Sequence, residues 1–187
     1  MTTSLIAALQ ELSATAQRSA ESLGPAIEKA AGMVRATVDR GGTLFFAGNG
    51  GSAADAQHIA TEYVVRYRKN RRALAAVAIT TDTSLLTAAG NDFSFDEIFA
   101  RQVEALAKKG DLLVVHTTSG NSQNIVRALE VARGKGVATL ALTANDGGAV
   151  KALADHTIIV PTARTDRAQE IHLCIQHAIC DAIESAL

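Results

Sequence analysis

Two short segments of the sequence combine glycine with hydroxyl and amide side chains in a pattern that suits an anionic ligand. They are GNGGS at residues 48–52 and TTSGNS at residues 117–122, and each lies between an apolar run and a helical one. Backbone amides at a helix N-terminus bind anions, and glycine permits the tight turn that exposes them. The first segment lacks the lysine of a P-loop, and the second has neither lysine nor an acidic metal ligand. The pattern favours a phosphate monoester, with a strand-to-helix turn or a Ser/Thr-rich helix cap as the structural alternative.

His58 and Glu62 are four residues apart in the helix predicted after the first glycine segment, so both side chains project from one face. This spacing suits a metal ion but is also common by chance. Gln169, His172 and His177 lie among apolar residues of the last helix, where a core or interface histidine is the usual explanation. Gln169 and His177 are eight residues apart, a rise of about 12 Å along a straight helix. If both hold the same ion, one of them comes from a neighbouring subunit.

A strongly basic segment follows the same helix. Residues 66–72 (RYRKNRR) carry five positive charges, and a solvated loop is the default interpretation of such a run. Close to a phosphate site it could instead steer an anionic substrate, and Arg66 is the best candidate for that role. Asn91 and Asp92 are predicted to lie in a polar turn between two short helices, where they could cap a helix or hydrogen-bond sugar hydroxyls.

The elements that must position these residues alternate between strand and helix. Apolar runs rich in Val, Ile, Leu and Phe predict strands at residues 43–47, 74–79, 112–116, 138–142 and 156–160. Helices are predicted at residues 53–67, 95–108, 122–133 and 147–154, with a last one after Pro161. The alternation predicts an α/β fold, with one doubly wound five-stranded parallel sheet covered by helices on both faces. Both glycine segments then lie at the carboxyl ends of strands, where open α/β sheets bind ligands.

Two amphipathic helices are predicted ahead of the first strand, over residues 3–22 and 25–40. Pro25 opens the second helix and two glycines end it. A helical pair ahead of a small α/β core needs a surface to bury against. We therefore expect a single domain over residues 1–187 in which residues 1–40 serve oligomerisation.

Length and composition exclude several classes of protein. The chain has 187 residues, 48% hydrophobic and 20% charged, which excludes a disordered chain and predicts one domain with an extensive core. The net charge of −1 argues against a protein whose main work is holding DNA or another polyanion. The sequence shows neither a basic leader with an apolar block nor a run of about 18 apolar residues, so we expect no export and no membrane span.

The two cysteines predict free thiols. Cys174 and Cys180 are six residues apart in a predicted helix, so they point in different directions and cannot readily form a disulfide. We expect both to be buried and reduced, as in the cytoplasm. The absence of a cysteine cluster in the sequence excludes a Cys-rich structural zinc site.

Taken in order, the motifs of this sequence resemble the phosphoheptose isomerases, a family of sugar isomerase (SIS) domains with a flavodoxin-like sheet. The motifs are GNGGSAADAQH, RYRKNR, LTAAGND, TTSGNS and DRAQEIHLCIQH, and the resemblance runs from about Val34 to the C-terminus. It implies a cytoplasmic homotetramer with active sites between subunits. The implied reaction converts sedoheptulose 7-phosphate to D-glycero-D-manno-heptose 7-phosphate, the first step toward nucleotide-activated heptose for bacterial surface glycans such as lipopolysaccharide.

The resemblance also implies a zinc ion in each subunit and a set of substrate contacts. The implied zinc ligands are His58, Glu62, Gln169 and His177. The implied substrate-site residues are Asn49, Gly50, Gly51, Ser52, Glu62, Arg66, Asn91, Asp92, Thr117, Thr118, Ser119, Ser122, Asp166 and Gln169. Thr117 stands where relatives often have serine, and because either hydroxyl can donate a hydrogen bond, the departure puts little in doubt.

The residue types fit the chemistry that the resemblance implies. Moving a carbonyl between carbons 2 and 1 through an enediol requires that a proton be taken from carbon 1 and returned to carbon 2. A carboxylate and an imidazole can share that work. We assign Glu62 as the base and His177 as the acid, with zinc polarising the carbonyl and stabilising the enediolate.

Other functions compete with this interpretation. An adaptor of the DnaA initiator-associating type resembles this chain in fold and in the glycine segment, but its positions corresponding to Glu62 and His177 lack the catalytic side chains. An isomerase acting on a pentose or hexose phosphate would keep the chemistry and change the substrate. A regulatory sugar-phosphate sensor usually carries a DNA-binding module, which this sequence lacks.

Overall fold

Five short parallel strands form one sheet in the computed structural model, which describes residues 5–187. The strands are β1 (Leu44–Gly48), β2 (Ala76–Ala78), β3 (Leu112–His116), β4 (Ala138–Ala144) and β5 (His156–Val160). Their order in the sheet is β2-β1-β3-β4-β5, and every neighbouring pair is parallel. This is the flavodoxin-like order, in which the chain winds in opposite directions on the two sides of the boundary between β1 and β3. The predicted fold class is confirmed.

Helices cover both faces of the sheet within the described residues. On one face lie α1 (Leu5–Ser22), α2 (Gly24–Asp39), α3 (Gly51–Val64) and α8 (Thr165–Ser185). On the other lie α4 (Thr83–Asp92), a 3-10 turn (Phe95–Glu97), α5 (Ala100–Leu106), α6 (Gln123–Gly134) and α7 (Val150–Leu153). No helix in residues 5–187 is long and apolar enough to cross a membrane.

The central strands are buried on both sides, which explains their continuous apolar runs. Leu44 and Phe46 of β1 point into the core formed with α2, α3 and α8, whereas Phe45 points into the core formed with α5 and α6. Every residue of β1 and β3 is buried. A strand covered by helices on both faces has no solvent side, so the apolar pattern loses its alternation.

The helix predicted over residues 53–67 ends at Val64, where a side chain of the segment that follows caps it. The Arg71 guanidinium donates to the backbone oxygens of Glu62 and Tyr63 at 2.6 and 2.7 Å. The last carbonyls of a helix have no partner within the helix, and this arginine satisfies two of them. The basic segment at residues 66–72 therefore leaves the helix and turns back across its end.

Three other predictions of local structure differ from the observed elements. Asn91 and Asp92 were expected in a turn between helices, which is wrong, because they are the last residues of α4. The Asp82 side chain caps the start of that helix by accepting the N–H of Leu85 at 2.9 Å. The helix predicted over residues 95–108 splits into the 3-10 turn and α5. The helix predicted over residues 147–154 shortens to the single turn of α7.

The two N-terminal helices relate differently to the rest of the chain. α2 presents Ala30, Val34 and Val38 to the core of this same chain. α1 contacts α8, because Arg167 of α8 donates to the backbone oxygen of Ala8 at 3.0 Å. The Leu9 side chain of α1 is exposed. Residues 3 and 4 of the predicted first helix lie outside the described residues.

The two cysteines are unpaired, as predicted, but they differ in burial. Cys180 is buried, whereas Cys174 is exposed, so the expectation that both are buried is wrong for Cys174. Six residues along a helix turn the chain by about 240°. One thiol therefore faces the core while the other faces outward.

Candidate active site

A cavity of about 290 Å³ opens at the carboxyl ends of β1 and β3, where the two glycine segments meet. The strand register aligns Gly48 with His116, so the segments that follow them begin side by side. The lining residues are Asn49, Gly50, Gly51, Ser52, His116, Thr117, Thr118, Ser119, Ser122, Thr165 and Gln169. The cavity lies at the boundary where strand order reverses, which is the usual ligand position in such sheets.

Two lining residues were missed by the sequence analysis. His116 is the last residue of an apolar strand and directly precedes the second glycine segment. Thr165 begins α8, directly before Asp166. Adjacency to the predicted residues was the available signal, but the direction of each side chain depends on the strand and helix that carry it.

The first glycine segment is held in place by two contacts. The Asn49 and Asn124 amides donate to each other's side-chain oxygens at 2.9 and 2.8 Å, which joins this segment to α6. Gly51 lies directly beneath the amide of Gln169, since a methyl group at position 51 would come within 2.8 Å of it. Asn124, which is buried, is a further residue that the sequence analysis did not identify.

Gly120 in the second glycine segment cannot be replaced without strain. Its φ is +68°, and a methyl group there would lie 2.1 Å from the backbone oxygen of Gly147. Left-handed backbone costs a residue with a Cβ roughly 1–2 kcal/mol, and the contact with Gly147 adds to that cost. The hydroxyl groups of Ser119 and Ser122 take their positions from this turn.

We expect Gly120→Ala to lower the free energy of unfolding by at least about 1–2 kcal/mol, measured by urea denaturation. Gly32→Ala is the matched control, because Gly32 lies inside α2 with nothing within 4 Å of an added methyl group. That control should keep or raise stability, since alanine favours the helix. Equal stability of Gly120→Ala and the wild type would contradict the account of the turn.

His58, Glu62 and His177 converge between α3 and α8. The Nε2 atom of His58 lies 2.9 Å from the Nε2 atom of His177 and 3.3 Å from the Oε1 atom of Glu62. One ligand atom from each of the three residues lies within 4.8 Å of the others. Two imidazole nitrogens and a carboxylate oxygen form a donor set common at catalytic zinc, which holds three protein ligands and leaves a position open. The residues present therefore fit the ion that the resemblance implies.

Gln169 lies apart from this group within one chain. α3 and α8 run side by side in the same direction, so that Gly51 lies beside Gln169 and His58 lies beside His177. Seven residues of helix separate Gly51 from His58, a rise of about 10 Å. Gln169 is consequently about two turns from the other three predicted ligands.

The environment keeps His177 in the form that binds metal. Burial lowers its pKa from the ordinary value of 6.5, and the neighbouring His58 and Arg68 lower it further, against the opposing effect of Glu62. A neutral imidazole offers a nitrogen lone pair, whereas a protonated one does not. His177 is therefore ready to act as a ligand near neutral pH.

Asp55 is a further ionisable residue of α3 that the sequence analysis did not identify. It precedes His58 by three residues and Glu62 by seven, so all three share a helix face, and that spacing was the available signal. Burial raises the pKa of Asp55 to about 6, against the opposing effect of His58. Its Oδ2 atom is buried and has no hydrogen-bond partner within the part of the chain that the structure describes.

Besides Glu62, which lies in the His58–Glu62–His177 group, four of the predicted substrate-site residues lie outside the cavity of one chain. They are Arg66, Asn91, Asp92 and Asp166. The first three are exposed, and the Asn91 amide donates to the Asp92 carboxylate at 2.8 Å. Hydrogen bonds from Arg164 and Arg167 hold the pKa of Asp166 well below its usual range. In one chain none of these four residues forms part of the cavity lining.

Two buried histidines, His116 in the cavity wall and His172 beside it, make the fold sensitive to acid. Burial lowers the pKa of His116 to about 3, with a further contribution from His172. Burial also lowers the pKa of His172 to about 4, although its hydrogen bond with the Thr143 carbonyl opposes the shift. The unfolded chain protonates both rings near pH 6.5, so it binds more protons than the folded chain between that pH and the lowered values. Stability is therefore lost as pH falls through this window.

We expect the free energy of unfolding to fall by up to about 1.4 kcal/mol per pH unit for each ring as pH drops below 6.5. Urea denaturation between pH 7 and pH 5, with a chelator present, measures this slope. His172→Gln removes one titrating ring while keeping a donor for Thr143, so its slope should be shallower. A slope identical to that of the wild type would contradict the assignment to His172.

Comparison with known proteins identifies similar chains. Residues 9–144 match the family model described as SIS domain. A phosphoheptose isomerase from Paramagnetospirillum magneticum is 54% identical over 156 residues, which cover 82% of this chain and 81% of that protein. The solved phosphoheptose isomerase of Neisseria gonorrhoeae is 42% identical, with a TM-score of 0.92 over 97% of each chain. That of Francisella tularensis is 35% identical, with a TM-score of 0.94 over 97% of this chain and 96% of its own.

Proposed function

This chain belongs to the phosphoheptose isomerases of the SIS-domain family, and from that premise we propose that it interconverts sedoheptulose 7-phosphate and D-glycero-D-manno-heptose 7-phosphate. The observation that carries the proposal is a polar cavity at the ends of β1 and β3, with the His58–Glu62–His177 group on the two helices that flank it. An adaptor of the initiator-associating type is not favoured, because the relatives are isomerases and both proposed catalytic side chains are present.

We propose that the cavity binds the phosphate and the hydroxyl groups of the sugar. Backbone amides at the start of α3 and the hydroxyl side chains of residues 117–122 provide many hydrogen-bond donors without a metal ligand among them. Such donors suit a single phosphate group. Asn49 remains fixed by Asn124, so its position is set before the substrate arrives.

We propose that each subunit holds one zinc ion through His58, Glu62 and His177, with Gln169 supplied by a neighbouring copy. The separation of Gln169 from the other three residues in one chain supports a shared site. Bound zinc supplies a Lewis acid that polarises the substrate carbonyl and so makes the neighbouring C–H group more acidic.

Proton transfer falls to Glu62 and His177. Glu62 presents its Oε1 atom to His58, which leaves Oε2 free to take the proton from carbon 1 of the ketose. His177 is the candidate that returns a proton to carbon 2 and completes the aldose, for which it must carry a proton and so cannot bind the ion through the same nitrogen at that moment. The proton that Glu62 takes from carbon 1 must pass to His177 to restore both groups, whose ligand atoms lie within 4.8 Å of each other. The Glu62 side chain is only 17% exposed, so little water competes for that proton.

We further propose a homotetramer with sites between subunits, working in the cytoplasm toward heptose for surface glycans such as lipopolysaccharide. The exposed Ile6 and Leu9 of α1 are apolar positions that a second copy could cover. The substrate-site residues outside the cavity support the same arrangement, because a neighbouring chain could bring them to it. The unpaired cysteines agree with a reducing compartment.

The experiment that tests the function follows turnover of sedoheptulose 7-phosphate by NMR. Metal-free protein is assayed alone, with added zinc, and with zinc plus a chelator. We expect aldose to form only in the zinc sample. Absence of turnover in every sample, from protein shown by scattering to be a folded oligomer, would refute the proposed reaction, and turnover of another sugar phosphate would correct its substrate.

A further inference from the structure

Tyr67 lies against the face of the His177 ring. The two ring centroids are 5.3 Å apart and the planes differ by 20°, which is a stacked arrangement. We propose that Tyr67 is a positioning residue that sets the orientation of His177 in the metal site. The proposal rests on the proposed function in one respect, because His177 acts there as a zinc ligand and as the acid. The stacking of Tyr67 on His177 is a geometric observation that does not depend on that function.

The orientation of His177 depends on such a contact. Rotation of a histidine ring about its second side-chain bond is broad, so the side chain alone does not set where its nitrogens point. Metal-bound histidines usually gain this order from a hydrogen bond to the second ring nitrogen. Within residues 5–187, the His177 side chain makes its one hydrogen-bond contact through Nε2, with His58 at 2.9 Å. The His58 ring meets the His177 ring edge-on, with the centroids 5.0 Å apart, so the flat face of Tyr67 is the aromatic surface that packs parallel to the ring while Nε2 points at His58.

The backbone at Tyr67 is held by the C-terminal end of α8, the helix that carries His177. Its backbone N–H donates to the Glu184 carboxylate at 3.0 Å, and the N–H groups of Arg68 and Lys69 donate to the same carboxylate at 2.6 and 2.7 Å. Glu184 lies seven residues, or about two turns, after His177. The ring of His177 and the backbone beneath Tyr67 are therefore tied to one rigid element, α8.

Arg68 also contacts the Tyr67 ring. The carbon of its guanidinium group lies 5.0 Å from the Tyr67 ring centroid, and the group pairs with Asp181 at 3.6 Å. A cation over an aromatic face is attracted by the ring electrons. Arg68 thus favours the same ring position that stacks on His177.

The test compares Tyr67→Leu, which removes the aromatic face, with Tyr67→Phe, which keeps it. Phe95→Leu is the matched control, since Phe95 is an exposed aromatic residue on the other face of the sheet. We expect Tyr67→Leu to weaken zinc binding by about 10-fold, measured by competition with a coloured chelator, as outer partners of metal ligands typically do. Tyr67→Phe and Phe95→Leu should bind zinc like the wild type.

A second measurement reads the stacking without metal or activity. In metal-free protein, the ring current of Tyr67 should move the His177 ring protons upfield in the NMR spectrum, in the wild type and in Tyr67→Phe but not in Tyr67→Leu. If Tyr67→Leu does not fold, the wild-type and Tyr67→Phe shifts still decide the question. Absence of the upfield shift in the wild type overturns the proposal.

The outcomes separate this proposal from the proposed function. A wild type that binds no zinc refutes the metal assignment, while the NMR shifts continue to test the stacking. Wild-type zinc affinity in Tyr67→Leu overturns the positioning role even if the enzyme is an isomerase. An equal loss in Tyr67→Phe and Tyr67→Leu also overturns it, because the hydroxyl group rather than the ring face would then matter.

Discussion

Replacing Glu62 by glutamine should lower kcat for sedoheptulose 7-phosphate by about 10²–10⁴-fold, because the amide cannot take the proton from carbon 1. The substitution keeps the size of the side chain and an oxygen that can face His58. The folded structure should therefore survive, and KM should change less than kcat. The measurement is steady-state turnover at saturating zinc, with bound zinc determined in the same sample.

Determination of bound zinc is needed because Glu62 has two proposed roles. If the variant binds zinc normally and kcat falls, the lost function is proton transfer. If zinc binding is weakened as well, the assay is repeated at a higher zinc concentration and kcat is divided by the amount of bound zinc. A low kcat per bound zinc ion then indicates the loss of proton transfer. Glu104→Gln is the matched control, since Glu104 is an exposed residue that pairs with Arg101 on the surface. Near-normal turnover of zinc-bound Glu62→Gln would show that the base is another group.

Removal of the Glu184 carboxylate should cost about 3–5 kcal/mol of stability, because it leaves the Arg71 guanidinium buried without its anionic partner. The two groups are 3.2 Å apart, and their side chains are 9% and 3% exposed. The same carboxylate accepts the three backbone N–H groups of residues 67–69. Glu184→Ala is the variant, and urea denaturation measures the loss.

Asp181→Ala is the matched control for that prediction. Asp181 is on the same helix and pairs with Arg68 at 3.6 Å, but both side chains are exposed, so its loss should cost no more than about 1 kcal/mol. Glu184→Gln should fall between the two variants, because it keeps an oxygen acceptor. Equal stability of Glu184→Ala and Asp181→Ala would refute the structural role of the buried pair.

The contribution of Glu184 should also depend on pH. Burial raises the pKa of its carboxyl group, but the hydrogen bonds from residues 67–69 and the charge of Arg71 more than offset this and leave the pKa below the ordinary value of 4.5. The folded state therefore binds this proton less readily than the unfolded state. The stabilisation is complete above pH 4.5 and is lost as pH falls through the lowered value. The stability difference between the wild type and Glu184→Gln should accordingly shrink in acid.

Features that depend on local spacing were determined by the sequence. Alternating apolar and helical segments predicted the parallel sheet. Because β1 and β3 are buried on both faces, their residues form continuous apolar runs that identify them as strands. The sequence also predicted the glycine segments and the pair of His58 and Glu62 on one helix face. Each pattern lies within a few residues, where backbone geometry alone decides which side chains share a face.

Only the tertiary structure decided which of these patterns meet. The sheet order β2-β1-β3-β4-β5 places the two glycine segments at one edge, and the packing of α3 beside α8 brings His58 to His177 and leaves Gln169 two turns away. Tyr67 stacks on His177 through a contact between distant parts of the chain. Such contacts depend on how helices settle on the sheet, because side-chain shape and burial set that register and no local spacing encodes it.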